Sequence, residues 1–246
     1  MTFSEVSENQ ITKDQVAIAI TAGRFGSHTG IAFHSAKEGF QLLHLAWHKS
    51  LLVDSLPLDQ CWIACVPEIS HSASKQMVAI VRAIAKRRPS ISYAVNVLTA
   101  KNSFDSNGHY SAPKGSHGLT CATFVTEIFR AAVLPLVDET TWKETAENIV
   151  WGNEVVDLLQ RQGVSNDHVI AVRASVNGIR IRPDEVGAAG CLPFKKRPAK
   201  FEDISPITPT VMSKYSEISQ SKKVLANSGA TILKPETNVS AQVENK

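Results

Sequence analysis

Three stretches near the start of the chain alternate or accumulate apolar residues in the way that strands of a sheet do. They span 16–21, 27–34 and 38–47. The last two are separated only by the short turn 35–37, which is the spacing of a β-hairpin. This part of the chain is therefore predicted to begin an antiparallel sheet.

The hairpin places two histidines near each other. If its turn is centred on Ala36, His28 lies directly across from His44, and both side chains point to the same face. Gly30 and Ala32 share that face. Because their side chains are small, they leave room for a closely packed element such as a helix.

Farther along, the pattern changes from strands to helices. Residues 61–66 predict a buried strand, with a loop at 48–60 before it. Apolar residues at helical spacing predict a helix over 70–88, which Pro89 stops. The polar segment 101–118 is then expected to be a loop, and a loop of that length is usually functional or mobile.

The second half is predicted to contain helices at 141–162 and 166–177 and a terminal strand at 179–182. From 203 to 246 the chain is rich in Ser, Thr, Asn and Lys, which predicts a disordered tail. Residues 1–14 are polar and are expected to be flexible. One folded domain, 15–202, remains between them.

Composition narrows the classes of protein to which the chain can belong. Of 246 residues, 43% are hydrophobic and 20% are charged, which is typical of a globular domain. The net charge of +3 is too small to indicate a nucleic-acid partner. The spacing of the four cysteines suggests neither a disulfide framework nor a zinc site, so no metal is expected.

The N-terminal residues lack the basic start and apolar run of a signal peptide. No apolar run is long enough to cross a bilayer, so no membrane span is expected. These observations predict a cytoplasmic protein, or one exported without a cleaved signal peptide, whose thiols stay reduced where it is made.

One cysteine opens a predicted helix. Thr120 can cap a helix whose first residue is Cys121, and Phe124, Val125 and Ile128 give that helix one apolar face. A thiol in the first turn lies near unpaired N–H groups and the positive end of the helix dipole, which favour the thiolate. The alternative is that Cys121 is a small buried apolar residue.

Cys121, His28 and His44 together suggest nucleophilic catalysis. A nucleophilic cysteine needs an imidazole to accept its proton, and a further group that orients this imidazole improves it as a base. The alternatives are that His44 is a satisfied core histidine and that His117, four residues before the cysteine, is the base. Tyr93 or Tyr110 could direct a hydroxyl at an oxyanion.

Segments 27–33, 42–46 and 120–125 resemble the circularly permuted papain-like superfamily, in this chain order. Its members include lecithin:retinol acyltransferase-like enzymes and relatives of the NlpC-type cell-wall peptidases. The resemblance implies an α+β fold, in which an antiparallel sheet packs against a helix that begins with the nucleophile. It also implies that Cys121 is the nucleophile, His28 the base and His44 the orienting residue.

The resemblance further implies a thiol hydrolase or amidase that cleaves peptide bonds, including those of peptidoglycan, through a thioester and without a cofactor. One alternative is an acyltransferase or lipase that acts on lipid acyl esters. Another is an inactive papain-like binding module. A bacterial toxin-like effector would fit an enzyme without a signal peptide, and its partner would be a cognate inhibitor protein.

Overall fold

A six-stranded antiparallel sheet forms the centre of the protein. The computed structural model describes residues 3–5, 11–55 and 61–230. The strands follow the spatial order β1-β6-β2-β3-β4-β5. Their bounds are β1 Ser4–Glu5, β2 Val16–Gly23, β3 Gly26–Ser35, β4 Gly39–Trp47, β5 Ser50–Ser55 and β6 Ile63–Cys65.

Helices pack against this sheet and complete an α+β architecture. They are α1 His71–Arg87, α2 Cys121–Ala131, α3 Ala146–Arg161, α4 Asn166–Arg173, α5 Pro183–Gly190, α6 Phe201–Ile204 and α7 Thr208–Ala230. Short 3₁₀ turns occur at Val97–Thr99, Glu139–Thr141 and Phe194–Lys196. The α+β class and the antiparallel sheet are confirmed.

The elements with the clearest patterns lie where they were predicted. β2, β3, β4 and β6 fall within two residues of the predicted bounds. Helix α1 begins after Ser70, whose side chain accepts a hydrogen bond from the Ala73 N–H, and it ends at Arg88 in a left-handed conformation. Helix α2 begins at Cys121, as the capping pattern predicted.

The predicted register of the hairpin is wrong by two residues. Ile31 pairs with Leu43 and Ser35 with Gly39, so the turn is centred on Lys37 rather than Ala36. His28 is therefore not directly opposite His44. Because side chains alternate with a period of two, a shift of two returns them to the same face. The two histidines become diagonal rather than direct neighbours.

The expectation of a helix over Gly30 is also wrong. A Cβ atom on Gly30 would lie 2.7 Å from Cβ of His44, so the glycine makes room for the side chain of His44 on the neighbouring strand β4. Ala32 belongs to a small apolar cluster with Trp62. Ile31, which points the other way, belongs to the main core that includes α2.

Two further segments differ from the prediction. The expected loop at 48–60 contains β5, which pairs with β4 from Trp47–Ser50 to Gln41–Ser55. Residues 179–182, expected to form a strand, pair with no strand in the described ranges, and helix α5 follows them at once. Local propensity failed in both places because a strand needs a pairing partner, which β4 supplies to β5 and which no described strand supplies to 179–182.

The predicted tail is wrong for the part that the structure describes. Residues 201–204 and 208–230 are helical, and Ile204 and Val211 are fully buried. At the other end, Ser4–Glu5 forms a strand and Phe3 and Ile11 are buried, which contradicts a flexible segment there. The remainder of both predictions, at residues 1–2, 6–10 and 231–246, lies outside the described residues.

No helix in the described ranges combines the length and the apolar character that a bilayer crossing requires.

Candidate active site

Cys121 occupies the first turn of α2. Thr120 caps the helix, because its hydroxyl accepts the Thr123 N–H at 3.0 Å while the Thr123 hydroxyl accepts the Thr120 N–H at 2.7 Å. This reciprocal pair satisfies two of the N–H groups that a helix start leaves free. Cys121 as a whole is 5% exposed. The capping pair therefore fixes the start of α2 at Cys121.

The two histidines form a hydrogen-bonded chain that ends on a carboxylate. His28 Nε2 lies 2.8 Å from His44 Nδ1, and His44 Nε2 lies 3.1 Å from Asp54 Oδ2. Trp62 packs against both imidazoles, with ring centroids 5.9 Å from each. Asp54 reaches the chain from β5, and its side chain is partly exposed. Three strands thus supply one line of polar groups.

The carboxylate determines the proton positions along this chain. An ionised Asp54 can only accept, so His44 Nε2 carries the hydrogen in that bond. A neutral His44 then offers Nδ1 as an acceptor, and His28 must donate from Nε2. This leaves Nδ1 of a neutral His28 unprotonated. Within the described chain, Nδ1 has no hydrogen-bond partner of its own, so it is the atom that can take a proton.

Both imidazoles and the thiol line one cavity of about 410 Å³. This volume lies in the range of roughly 300–1,000 Å³ in which small-molecule sites fall. Its wall also contains Arg180 and the aromatic residues Trp47, Trp62, Tyr93 and Trp151. The structure therefore brings Cys121, His28 and His44 to one concave surface.

The surroundings of the thiol act on its pKa in opposite directions. Burial raises the pKa of Cys121, while the Thr29 N–H, the Tyr93 side chain, the charge of Arg180 and the Ala122 N–H lower it by smaller amounts. The net direction is upward. The sequence-based expectation of a lowered pKa is therefore wrong, because desolvation outweighs the helix start.

The imidazoles are also neutral at rest. Burial, followed by the nearby His44, lowers the pKa of His28 to about 4. Burial lowers the pKa of His44 as well, although the hydrogen bond and charge of Asp54 oppose this. No hydrogen bond joins Cys121 Sγ to either imidazole among the described residues. The resting site is thus a thiol and an imidazole, not an ion pair.

Tyr93 is held in place by a second pair of histidines. Its N–H donates to His48 Nδ1 at 3.2 Å, and its carbonyl accepts from His168 Nε2 at 2.9 Å. Its ring lies 4.5 Å from that of Trp47. Tyr93 thus stays beside Cys121, where its side chain acts on the pKa of the thiol. Tyr110, the other tyrosine considered, packs on Phe104 instead.

The remaining candidates lie elsewhere. His117, the alternative base, is not among the residues that line the cavity. Within the described part of the chain, no three His, Cys, Asp or Glu side chains are grouped so that they could hold a metal ion.

Sequence reasoning missed Asp54 and Arg180. Asp54 fell in the predicted loop 48–60, although the apolar residues Leu51, Leu52 and Val53 directly before it could have indicated a strand. Arg180 fell in a predicted strand, and nothing local distinguished it from the neighbouring Arg182. Only the packing of α3 and the segment before α5 around the cavity brings Arg180 to the thiol.

No protein-family model matches the chain, and neither a curated protein nor a solved structure has significant similarity to it.

Proposed function

We propose that this protein is a papain-like cysteine hydrolase that cleaves amide bonds in peptides, including peptidoglycan peptides, through a thioester. The observation that carries the proposal is the chain from Asp54 through His44 to His28, which leaves one basic nitrogen at a cavity that also contains a helix-start thiol. A base, a group that orients it, and a nucleophile are the parts that acyl transfer needs.

The first step forms the thioester. His28 Nδ1 takes the proton of the Cys121 thiol as Sγ attacks the substrate carbonyl carbon. The charge that develops on the carbonyl oxygen is stabilised by N–H groups of the first turn of α2 and by the Tyr93 hydroxyl. The imidazolium of His28 is stabilised through His44 by Asp54. It then protonates the leaving amine, and the carbon–nitrogen bond breaks.

The second step releases the acid. Water replaces the amine in the cavity, and His28 takes a proton from it as its oxygen attacks the thioester carbon. The tetrahedral intermediate expels the thiolate, which regains the proton from His28. The enzyme returns to its neutral pair, so each turnover consumes one water and one amide bond.

A second candidate is an inactive binding module with the same fold. It is favoured by the deep burial of Cys121, the raised pKa of its thiol and the absence of a direct hydrogen bond from it to an imidazole within the described residues. Such a module would use the cavity to hold a peptide without cleaving it.

Turnover assays separate these candidates. The purified protein is incubated with short peptides, cell-wall stem peptides and acyl esters, and released amine and acid are measured after an acid quench that preserves thioesters for mass analysis. We expect amine release that Cys121→Ala abolishes and His28→Ala reduces by orders of magnitude. The double variant should be no worse than Cys121→Ala, because residues that act as a unit are not additive.

Cys191→Ala is the matched control, because this free thiol lies outside the cavity. It should keep full activity. Cleavage of the acyl esters alone would identify the lipase alternative. Peptide binding without a thioester adduct or product would identify the inactive module and contradict the proposal.

A further inference from the structure

Arg180 is a cation without a counter-ion at the catalytic cavity. Its guanidinium lies over the ring of Trp151, 3.8 Å from the ring centroid, and the residue lines the cavity that contains Cys121. Within the described residues, it makes no salt bridge and no hydrogen bond. A partly buried charge of this kind is costly unless something pairs with it.

Two acidic residues close to it in the chain already have other partners. Asp184, whose charge acts on Arg180, accepts a hydrogen bond from Ser27 at 3.2 Å and lies 3.9 Å from Arg182. Glu185 accepts hydrogen bonds from Arg182 and from Trp142. Both carboxylates form their salt bridges with Arg182, and neither forms one with Arg180.

The same arginine also lines an adjoining cavity of about 570 Å³, together with Trp151, Phe25 and Arg24. Arg24 lines both cavities as well, so two positive side chains flank their junction. The acidic residues of the second cavity, Glu147 and Glu154, do not line the first. The surface next to Cys121 is therefore the cationic part of a longer cleft.

The contact with Trp151 leaves the N–H donors of the Arg180 guanidinium free. Trp151 covers one face of the planar group, which fixes its orientation, while the N–H donors lie around its edge. An arginine edge with no protein acceptor matches the two oxygens of a carboxylate. We infer that Arg180 binds a carboxylate of the substrate next to the carbonyl that Cys121 attacks, so that the enzyme prefers anionic peptides.

This inference rests on the proposed function for its substrate, but its test does not depend on turnover. Iodoacetate and iodoacetamide alkylate a thiol by the same displacement, with loss of iodide, and differ in that one carries a carboxylate and the other a neutral amide. Their rate ratio at Cys121 therefore reports attraction of an anion to the site. A change in thiol pKa alters both rates alike and cancels in the ratio.

We expect Arg180→Gln to lower the iodoacetate-to-iodoacetamide ratio about tenfold, the effect of losing one charge-assisted hydrogen bond. Arg180→Lys should retain part of the preference. The control is Arg173→Gln, which removes an exposed arginine paired with Asp157 outside the cavity, and it should leave the ratio unchanged. Peptide-mapping mass spectrometry assigns the label to Cys121.

A second measurement uses only the unaltered protein, in case Arg180→Gln fails to fold. Acetate should protect Cys121 from iodoacetamide, and acetamide at the same concentration should not. Equal protection, an unchanged ratio in Arg180→Gln, or a thiol that neither reagent reaches in the folded protein would each overturn the inference. If Arg180→Gln leaves the iodoacetate-to-iodoacetamide ratio unchanged while the unaltered protein cleaves peptides, only the anion site is contradicted. If the substitution lowers the ratio as expected but the unaltered protein cleaves no peptide, only the proposed hydrolase function is contradicted.

Discussion

Asp54 acts on the proposed base without touching it. Its carboxylate fixes the tautomer of His44, and His44 in turn fixes that of His28, so that Nδ1 of His28 is free to accept a proton. Its side chain is 45% exposed, whereas that of His44 is 11% exposed. The hydrogen-bonded chain therefore runs from the solvent-facing edge of the sheet to the cavity. In the proposed mechanism, the carboxylate orients the imidazoles and stabilises the imidazolium.

Removing that carboxylate should weaken catalysis without abolishing it. We expect Asp54→Ala to lower kcat/KM by about one to two orders of magnitude, less than His28→Ala, because the base remains and only its orientation and charge stabilisation are lost. Because Asp54 raises the pKa of His44, the acidic limb of the pH profile should move to lower pH. An unchanged profile with full activity would show that Asp54 has no part in the reaction.

Buried neutral histidines also predict how stability depends on pH. The folded pKa of His28 and that of His48 are both lowered to about 4, mainly by burial, from an unfolded value of 6.5. Between these values the unfolded chain binds more protons. The free energy of unfolding should therefore fall as pH falls from about 6.5 to about 4, by up to about 1.4 kcal/mol per pH unit for the proton of His28. The contribution of His48 should be smaller, because its side chain is only half-buried and solvent screens its charge.

Urea unfolding at several pH values measures this slope. His28→Gln and His48→Gln should each flatten it, because each removes one group that gains a proton on unfolding. A slope that neither substitution changes would contradict the burial of neutral imidazoles at both sites.

At the scale of elements, an error of two residues in the predicted pairing of β3 and β4 still leaves both histidines on the same face of the sheet. The predicted turn was displaced by one residue, which displaced the pairing by two. His28 and His44 nevertheless share a face, and the small size of Gly30 lets strand β4 bring His44 close. A displacement of the pairing by one residue would have separated the two imidazoles completely.

The capping of α2 should contribute to the stability of the folded protein. Thr120→Ala removes the acceptor for the Thr123 N–H at the start of the helix that carries the thiol. We expect a loss of about 1 kcal/mol in unfolding free energy and a fall in Tm of roughly 2–4 °C. Thr120→Ser keeps the hydroxyl and should keep most of the stability. Equal losses in both variants would mean that the methyl packing of Thr120, rather than its cap, is what stabilises the helix.

At the scale of the whole molecule, the C-terminal helix belongs to the folded domain. Val211 is fully buried, and Met212, Tyr215 and Ile218 pack against the main core. Positions 211, 215 and 218 have the spacing of one helix face. That pattern was present in the sequence, but the abundance of Ser, Thr and Lys around it favoured disorder.

Truncation after residue 204 should therefore destabilise the protein, because it exposes the part of the core that α7 covers. Val211→Ala should cost about 2 kcal/mol from two lost methyl groups and the cavity that they leave. Lys214→Ala changes an exposed residue of the same helix, whose partner is Glu217, and should have little effect. Thermal melts of the three proteins test this, and an unchanged Tm after truncation would contradict the packing of α7.

Local pattern determined much of this protein on its own. Apolar runs bounded by glycines and a short turn defined β2, β3 and β4, and helical spacing with a capping residue defined α1 and the start of α2 at Cys121. These features depend on neighbours within a few residues along the chain. The choice of Cys121, His28 and His44 as candidates followed from them, and their catalytic roles remain a proposal.

The tertiary structure decided the rest, because it depends on residues far apart in sequence. Only the pairing of β4 with β5 brings Asp54 to His44, and only the packing of distant segments places Arg180 beside the thiol. Burial in that packing reverses the pKa shift that the helix start alone would give Cys121. Desolvation is a property of the assembled surroundings, so no reading of residues 118–129 by themselves could have supplied it.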